Sequence, residues 1–187
     1  MRNVIARSVY SPPWRIDVTL REGVPRLVAL ARLVRVIGAT LHAAGAPAPA
    51  SVGLILSDDR ELAELNEREL GHAGSTDVLS FPLLPPSAFP GHPGQDRGAR
   101  IPPGHPPFVL PPRRRVHLGD VVISVERAVD QARQGRGGQL GDTSWSPADE
   151  MRLLAVHGTL HLCGWDHADR KEEAAMRALE RRLIARR

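Results

Sequence analysis

Apolar positions change their period several times along this chain, and each change marks an element. Between Val24 and Ala44, the residues Leu27, Leu30, Ala31, Val34, Ile37 and Leu41 recur at three- and four-residue steps. That spacing predicts one amphipathic helix, opened by Pro25 and closed by Gly45. Residues 52–56 are a short continuous apolar run between turn residues, the pattern of a buried strand. Residues 3–10 alternate loosely and stop at Ser11-Pro12-Pro13, which reads as a first strand ended by prolines. Asp58, with Glu61 three residues on, predicts a capping box that starts a helix carrying Leu62, Leu65 and Leu70. A loop from Gly71 then feeds a strand over residues 76–81. A further strand is expected over 118–124, with Ser124 placed to cap a helix over 125–134.

The last third reads as helical. Ser146 as N-cap, Pro147 at the first helical position, and Asp149 and Glu150 in the first turn predict a helix. Its Met151, Leu154 and Leu160, with Leu153 and Val156 beside them, face a core. Asp169 and Glu172 predict another capping box, opening a final helix through Ala175, Met176, Leu179 and Leu183. Residues 83–115 break the pattern. Ten of the 17 prolines lie between 85 and 112, among glycines, and the stretch ends in Arg113-Arg114-Arg115. No regular element runs through such spacing, so a long mobile or polyproline-like insertion is expected, with His92 and His105 in solvent. The whole pattern predicts a single α+β domain over residues 1–187, a mixed sheet of about four strands packed by about five helices.

Chemistry concentrates in one stretch of eleven residues, from His157 to His167. His157 and His161 are four apart, so they lie one turn from each other on the same helical face. Gly164 can take the left-handed conformation that ends a helix, which reverses the chain and returns His167 toward the other two rings. Three neutral imidazoles leave one tetrahedral position open, the arrangement of a catalytic rather than a structural zinc site. Cys163 lies in the same stretch, but two residues past His161 it points well round the helix, and it reads as a small buried hydrophobe rather than a fourth ligand. Metzincin peptidases share the histidine spacing but place a glutamate after the first histidine as general base. Gly158 occupies that position here, so a peptide-cleaving role lacks its proton acceptor.

His157-Gly158-x-Leu160-His161-Leu162-x-Gly164-x-Asp166-His167, taken with Thr76-Asp77-Val78-Leu79-Ser80-Phe81-Pro82 and Leu118-Gly119-Asp120-Val121-Val122-Ile123-Ser124, resembles the YbeY family of bacterial rRNA-maturation endoribonucleases. The resemblance implies an α+β fold of zincin-like character and metal ligation by His157, His161 and His167, with one zinc ion per chain. It also implies single-strand-specific cleavage of RNA in maturation of the small-subunit rRNA 3′ end and in ribosome quality control. The partners it implies are single-stranded rRNA, the small ribosomal subunit and assembly factors. Since the family's ligands are all histidine, Asp120 is not expected to bind metal. An arginine that serves activity in the family falls at Leu70 here. Arg68 two residues earlier, or His72, are candidates to fill that space, and Arg68 and Asp166 are the candidate catalytic side chains beyond the metal and its water. For Asp166 the competing role is a turn carboxylate that caps the final helix.

Composition adds less. Hydrophobic content of 42% fits a globular protein, and the N-terminus shows neither a signal peptide nor an apolar run long enough to cross a membrane. A lone cysteine fits a reducing compartment, and the expected location is the cytoplasm. Lys plus Arg number 25 against 21 for Asp plus Glu, and Lys171 is the only lysine. Arginine's planar fork suits phosphate, so Arg68, Arg113, Arg114 and Arg115 are candidate RNA contacts; for the triplet the competing reading is a soluble loop end. Two other function classes stay open: a non-catalytic ribosome-assembly RNA-binding factor with a structural metal, and a metal-dependent hydrolase of peptides or small molecules.

Overall fold

Strict alternation in residues 14–20, Trp-Arg-Ile-Asp-Val-Thr-Leu, lays down the strand on which the core is built: Trp14, Ile16, Val18 and Leu20 are buried, while Arg15, Asp17 and Thr19 face the other way. A computed structural model describes residues 5–94, 115–135, 145–167 and 169–185. Strand β1 (Ile5–Ser11) pairs antiparallel with β2 (Trp14–Leu20) across the Pro12-Pro13 turn. Helix α1 (Leu30–Ala43) crosses over to β3 (Ala50–Ser57), which is parallel to β2. Helix α2 (Asp59–Leu70) leads to β4 (Val78–Pro82), and β5 (Val116–Ser124) inserts between β3 and β4. Helices α3 (Val125–Arg133), α4 (Pro147–Leu162) and α5 (Arg170–Ile184) follow. The sheet order is β1-β2-β3-β5-β4, with the two inner pairings parallel and both edge pairings antiparallel.

This is an α+β fold with a mixed five-stranded sheet and five α-helices among the described residues, one strand more than the periodicity predicts. The additional strand is β2, hidden behind a proline pair that makes a hairpin turn instead of ending a lone strand. Leu33, Ile37 and Leu41 of α1 and Met151, Leu154 and Leu160 of α4 pack on one face of the sheet, and Met176, Leu179 and Leu183 of α5 close the same core against α4 and α1. Leu62 of α2 covers Leu79 and Val122 on the other face. Leu70, expected on the same helical stripe as Leu62, is instead half-exposed.

Helix α1 starts at Leu30, not near Pro25. No side chain caps an earlier turn, and Val24, Leu27 and Val28 spend their apolar surface packing on the core as an irregular lead-in. The Pro-rich stretch also departs from expectation over its described part. Residues 84–94 are not a solvated coil: a single 3-10 turn (Pro86–Ala88) lies between buried Leu84 and Phe89. His92, expected in solvent, has a side chain only 4% exposed. His105, Arg113 and Arg114 lie outside the described residues.

Candidate metal centre

Helix α4 begins with a complete capping box, in which the Ser146 hydroxyl accepts from the Asp149 N–H and the Asp149 carboxylate accepts from the Ser146 N–H. Its apolar positions are buried on the sheet, so the helix is a rigid carrier for His157 and His161. Gly164 stops it with φ +80°, a left-handed turn that glycine takes without strain, and the Trp165 N–H donates back to the Leu160 carbonyl. A side chain at 164 would also press on Pro86.

That reversal brings the third histidine home. His157, His161 and His167 each offer a ring nitrogen, and these atoms lie within 4.8 Å of one another. The Nε2 atoms of His157 and His161 are 3.1 Å apart. Two nitrogens bound to one zinc in tetrahedral geometry stand about 3.4 Å apart, so this pair is already at ligand spacing. His167 is the exposed member of the three.

Hydrogen bonds on the far side of the rings decide which nitrogen faces the gap. His157 Nδ1 is 2.8 Å from Glu180 Oε1, and His161 Nδ1 is 2.8 Å from the Trp165 carbonyl. A carboxylate and a carbonyl only accept, so both Nδ1 atoms carry the proton and both Nε2 lone pairs point inward. This is the arrangement that metal-binding histidines use, with an outer carboxylate or carbonyl fixing tautomer and ring orientation. The donor set fits a single divalent cation of the borderline-soft kind.

Burial, reinforced by the neighbouring His157 ring, pushes the His161 pKa down to about 4. In the unfolded chain it takes a proton near its ordinary 6.5. The unfolded state therefore binds more protons between those values, and stability of the metal-free protein is full above about pH 6.5 and lost as pH falls toward 4. The loss amounts to about 3 kcal/mol. Urea unfolding of chelator-treated protein at pH 7 and 4.5 is expected to differ by that order, and a His161→Gln variant is expected to lack this part of the slope.

Of the other candidate side chains named from the sequence, Asp166 lines the histidine cleft and the rest of those described do not. Cys163 is buried in the core, and burial pushes its thiol up to about 12, so it behaves as a hydrophobe. Asp120 pairs with His117. Asp166 accepts from the His167 N–H, while Asp169 caps α5 in the place considered for Asp166. The reciprocal half of that predicted box is missing, because the Glu172 carboxylate accepts from the Asp166 N–H instead. Glu61 likewise leaves the α2 cap half-made: Asp58 accepts from the Glu61 N–H, but the Glu61 carboxylate pairs with Arg21. The Arg21 and Ser57 hydrogen bonds outweigh burial and hold that carboxyl below the usual range.

Leu70 lines the same cleft as the three histidines, beside β4 residues from Val78 to Ser80. Arg68 is exposed, paired with Glu69, and does not line the cleft; His72 is exposed and does not line it either. Arg115 donates from Nη1 to the carbonyls of Pro13 in the β1–β2 turn and Ala50 at the start of β3. Sequence reasoning missed Glu180. Its signal was a carboxylate in the apolar stripe of α5 between Met176 and Ile184, a buried position that calls for a donor. Glu180→Ala is expected to weaken metal binding roughly 10- to 100-fold, measured by competition with a chromophoric chelator, whereas Glu173→Ala on the exposed side is expected to leave it unchanged.

Comparison with known proteins agrees with the motif. The family model described as Endoribonuclease YbeY matches residues 25–187. The chain belongs to the YbeY family. Curated relatives named Endoribonuclease YbeY include one from Thermobifida fusca, 37% identical over 171 residues, which are 91% of this chain and 92% of that one. A Salinispora tropica relative is 40% identical over 73% of each chain, and a Chloroflexus aurantiacus relative is 35% identical over 91% of this chain and 94% of its own. A solution structure of a Thermotoga maritima protein overlays with a TM-score of 0.49 at 20% identity, covering 90% of this chain and 86% of that one.

Proposed function

We propose that this YbeY-family chain is a single-strand-specific, zinc-dependent endoribonuclease of the cytoplasm that acts on the 3′ end of 16S rRNA and in ribosome quality control. The observation that carries this reading is the inward convergence of three imidazole nitrogens, two with tautomers fixed from behind, in a cleft beside the free edge of β4. Curated relatives covering most of the chain bear the endoribonuclease name. Its partners on this reading are single-stranded rRNA, the small ribosomal subunit and assembly factors.

A zinc ion held by His157, His161 and His167 would supply positive charge to a phosphoryl oxygen, or lower the pKa of water, at a cleft whose described lining carries Asp77 and Asp166 but no arginine or lysine. Leu70 stands where a guanidinium would help, and neither arginine nor lysine lines the described part of the cleft. The chain's own contribution is positional. Ser80 donates from Oγ to the Gly158 carbonyl at 3.0 Å, locking the edge strand to the metal helix. No carboxylate follows His157 to act as a base; Asp166 in the cleft is the remaining candidate proton acceptor, and the nucleophile on this reading is the substrate's 2′-hydroxyl or hydroxide. The donor cluster has three members among the described residues, and Cys163 faces the core, so a closed structural site lacks its fourth ligand.

The test is cleavage of an end-labelled RNA carrying the 16S 3′ precursor, offered single-stranded and as a duplex. Metal-loaded protein is expected to cut the single strand alone, and chelator-treated protein to cut neither. Full-rate cleavage after metal removal would overturn the reading.

A further inference from the structure

We propose that His92, delivered by residues 84–94, is a positioning residue for the metal centre. The proposal rests on the three-histidine reading above. Leu84 and Phe89 anchor this strap in the core, and the His92 ring then lies flat on Trp165, centroids 4.0 Å apart and planes 11° from parallel. His92 Nε2 is 3.2 Å from the Gly164 carbonyl, so it donates there. Its Nδ1 is buried without a hydrogen-bond partner, 3.5 Å from Glu172 Oε1.

What His92 touches is what aims the ligands. Trp165 supplies the carbonyl that fixes the His161 tautomer, and Gly164 is the pivot of the reversal that returns His167. Glu172 holds the Asp166 N–H one residue before that third ligand. The turn from 163 to 167 is thus gripped on three consecutive residues by the strap and by α5. Released from the strap, the Trp165 carbonyl and the exposed His167 gain freedom that metal binding must remove again, which weakens the site without touching a ligand. Packing on Trp165 needs only a ring, whereas the bond to the Gly164 carbonyl requires a donor.

Zinc affinity of the full chain, measured by competition with a chromophoric chelator, tests this. His92→Ala is expected to lower affinity about tenfold and to speed zinc release. His92→Phe keeps the buried ring and the stack but not the donor, and is expected to fall between wild type and His92→Ala; it also serves if the alanine variant does not fold. Val34→Ala, a truncation in the core of α1, controls for lost stability and is expected to leave zinc affinity unchanged. In a His167→Ala background, His92→Ala is expected to have a smaller effect than in wild type, since one of the two ligands it positions is gone. Wild-type affinity in both His92 variants, or an equal loss in Val34→Ala, overturns the proposal alone. Absence of zinc binding by wild type overturns the three-histidine reading, and this proposal with it.

Discussion

His161→Ala is expected to lose both bound metal and RNA cleavage, the largest effect of any single substitution in this chain. His161 is the middle ring: its Nε2 is 3.1 Å from that of His157, and its centroid is 5.1 Å from that of His167. Without it, two donors remain on opposite sides of a gap, one of them exposed. Charge stabilisation by a bound cation is worth several kcal/mol at a reacting phosphate, so cleavage should fall by about 10³-fold or more. Folding should survive, because alanine is a strong helix former and the core side chains of α4 are untouched. The measurement is cleavage of end-labelled single-stranded RNA by both proteins with bound zinc quantified in each. A zinc-free variant that cuts as fast as wild type would remove the metal from the reaction.

The parts of this fold that were legible in the sequence are those that depend on neighbours within a few residues. The four-residue histidine step, the glycine stop and the Ser146 cap are local geometry, and the structure has all three. Strand β2 is equally local, since Trp14, Ile16, Val18 and Leu20 alternate without a flaw, but a proline pair signals a strand end in sequence and makes a hairpin turn here. The early start expected for α1 failed for a different reason. Val24, Leu27 and Val28 continue the helical spacing, yet tertiary packing takes them as irregular chain. Glu180 and His92 lie beyond local reasoning altogether. One meets His157 across 23 residues and the other meets Trp165 from within a proline-rich stretch, where no periodicity reports burial.

Gly158→Glu, which restores the residue a metzincin peptidase carries after its first histidine, is expected to unfold the protein and not to make a peptidase. Gly158 lies where α4 presses on the sheet: a Cβ there would stand 2.6 Å from Val121 Cγ1, 3.0 Å from Val78 Cγ2 and 3.1 Å from Ser80 Oγ. Val121 is fully buried and β-branched, so it has no room to give. Even Gly158→Ala should cost about 1–3 kcal/mol in overpacking, against about 1 kcal/mol returned by helix propensity. A glutamate adds a buried carboxylate with no partner. Relief requires α4 to lift from β4 and β5, which breaks the Ser80 bond to the Gly158 carbonyl and moves His157 and His161 with the helix. Melting temperature, zinc content and hydrolysis of a peptide substrate measure the three consequences. A Gly158→Glu protein with wild-type melting temperature would show that the helix has room at this contact. The absence of a base after His157 would then be a chemical choice; the packing makes it a steric one.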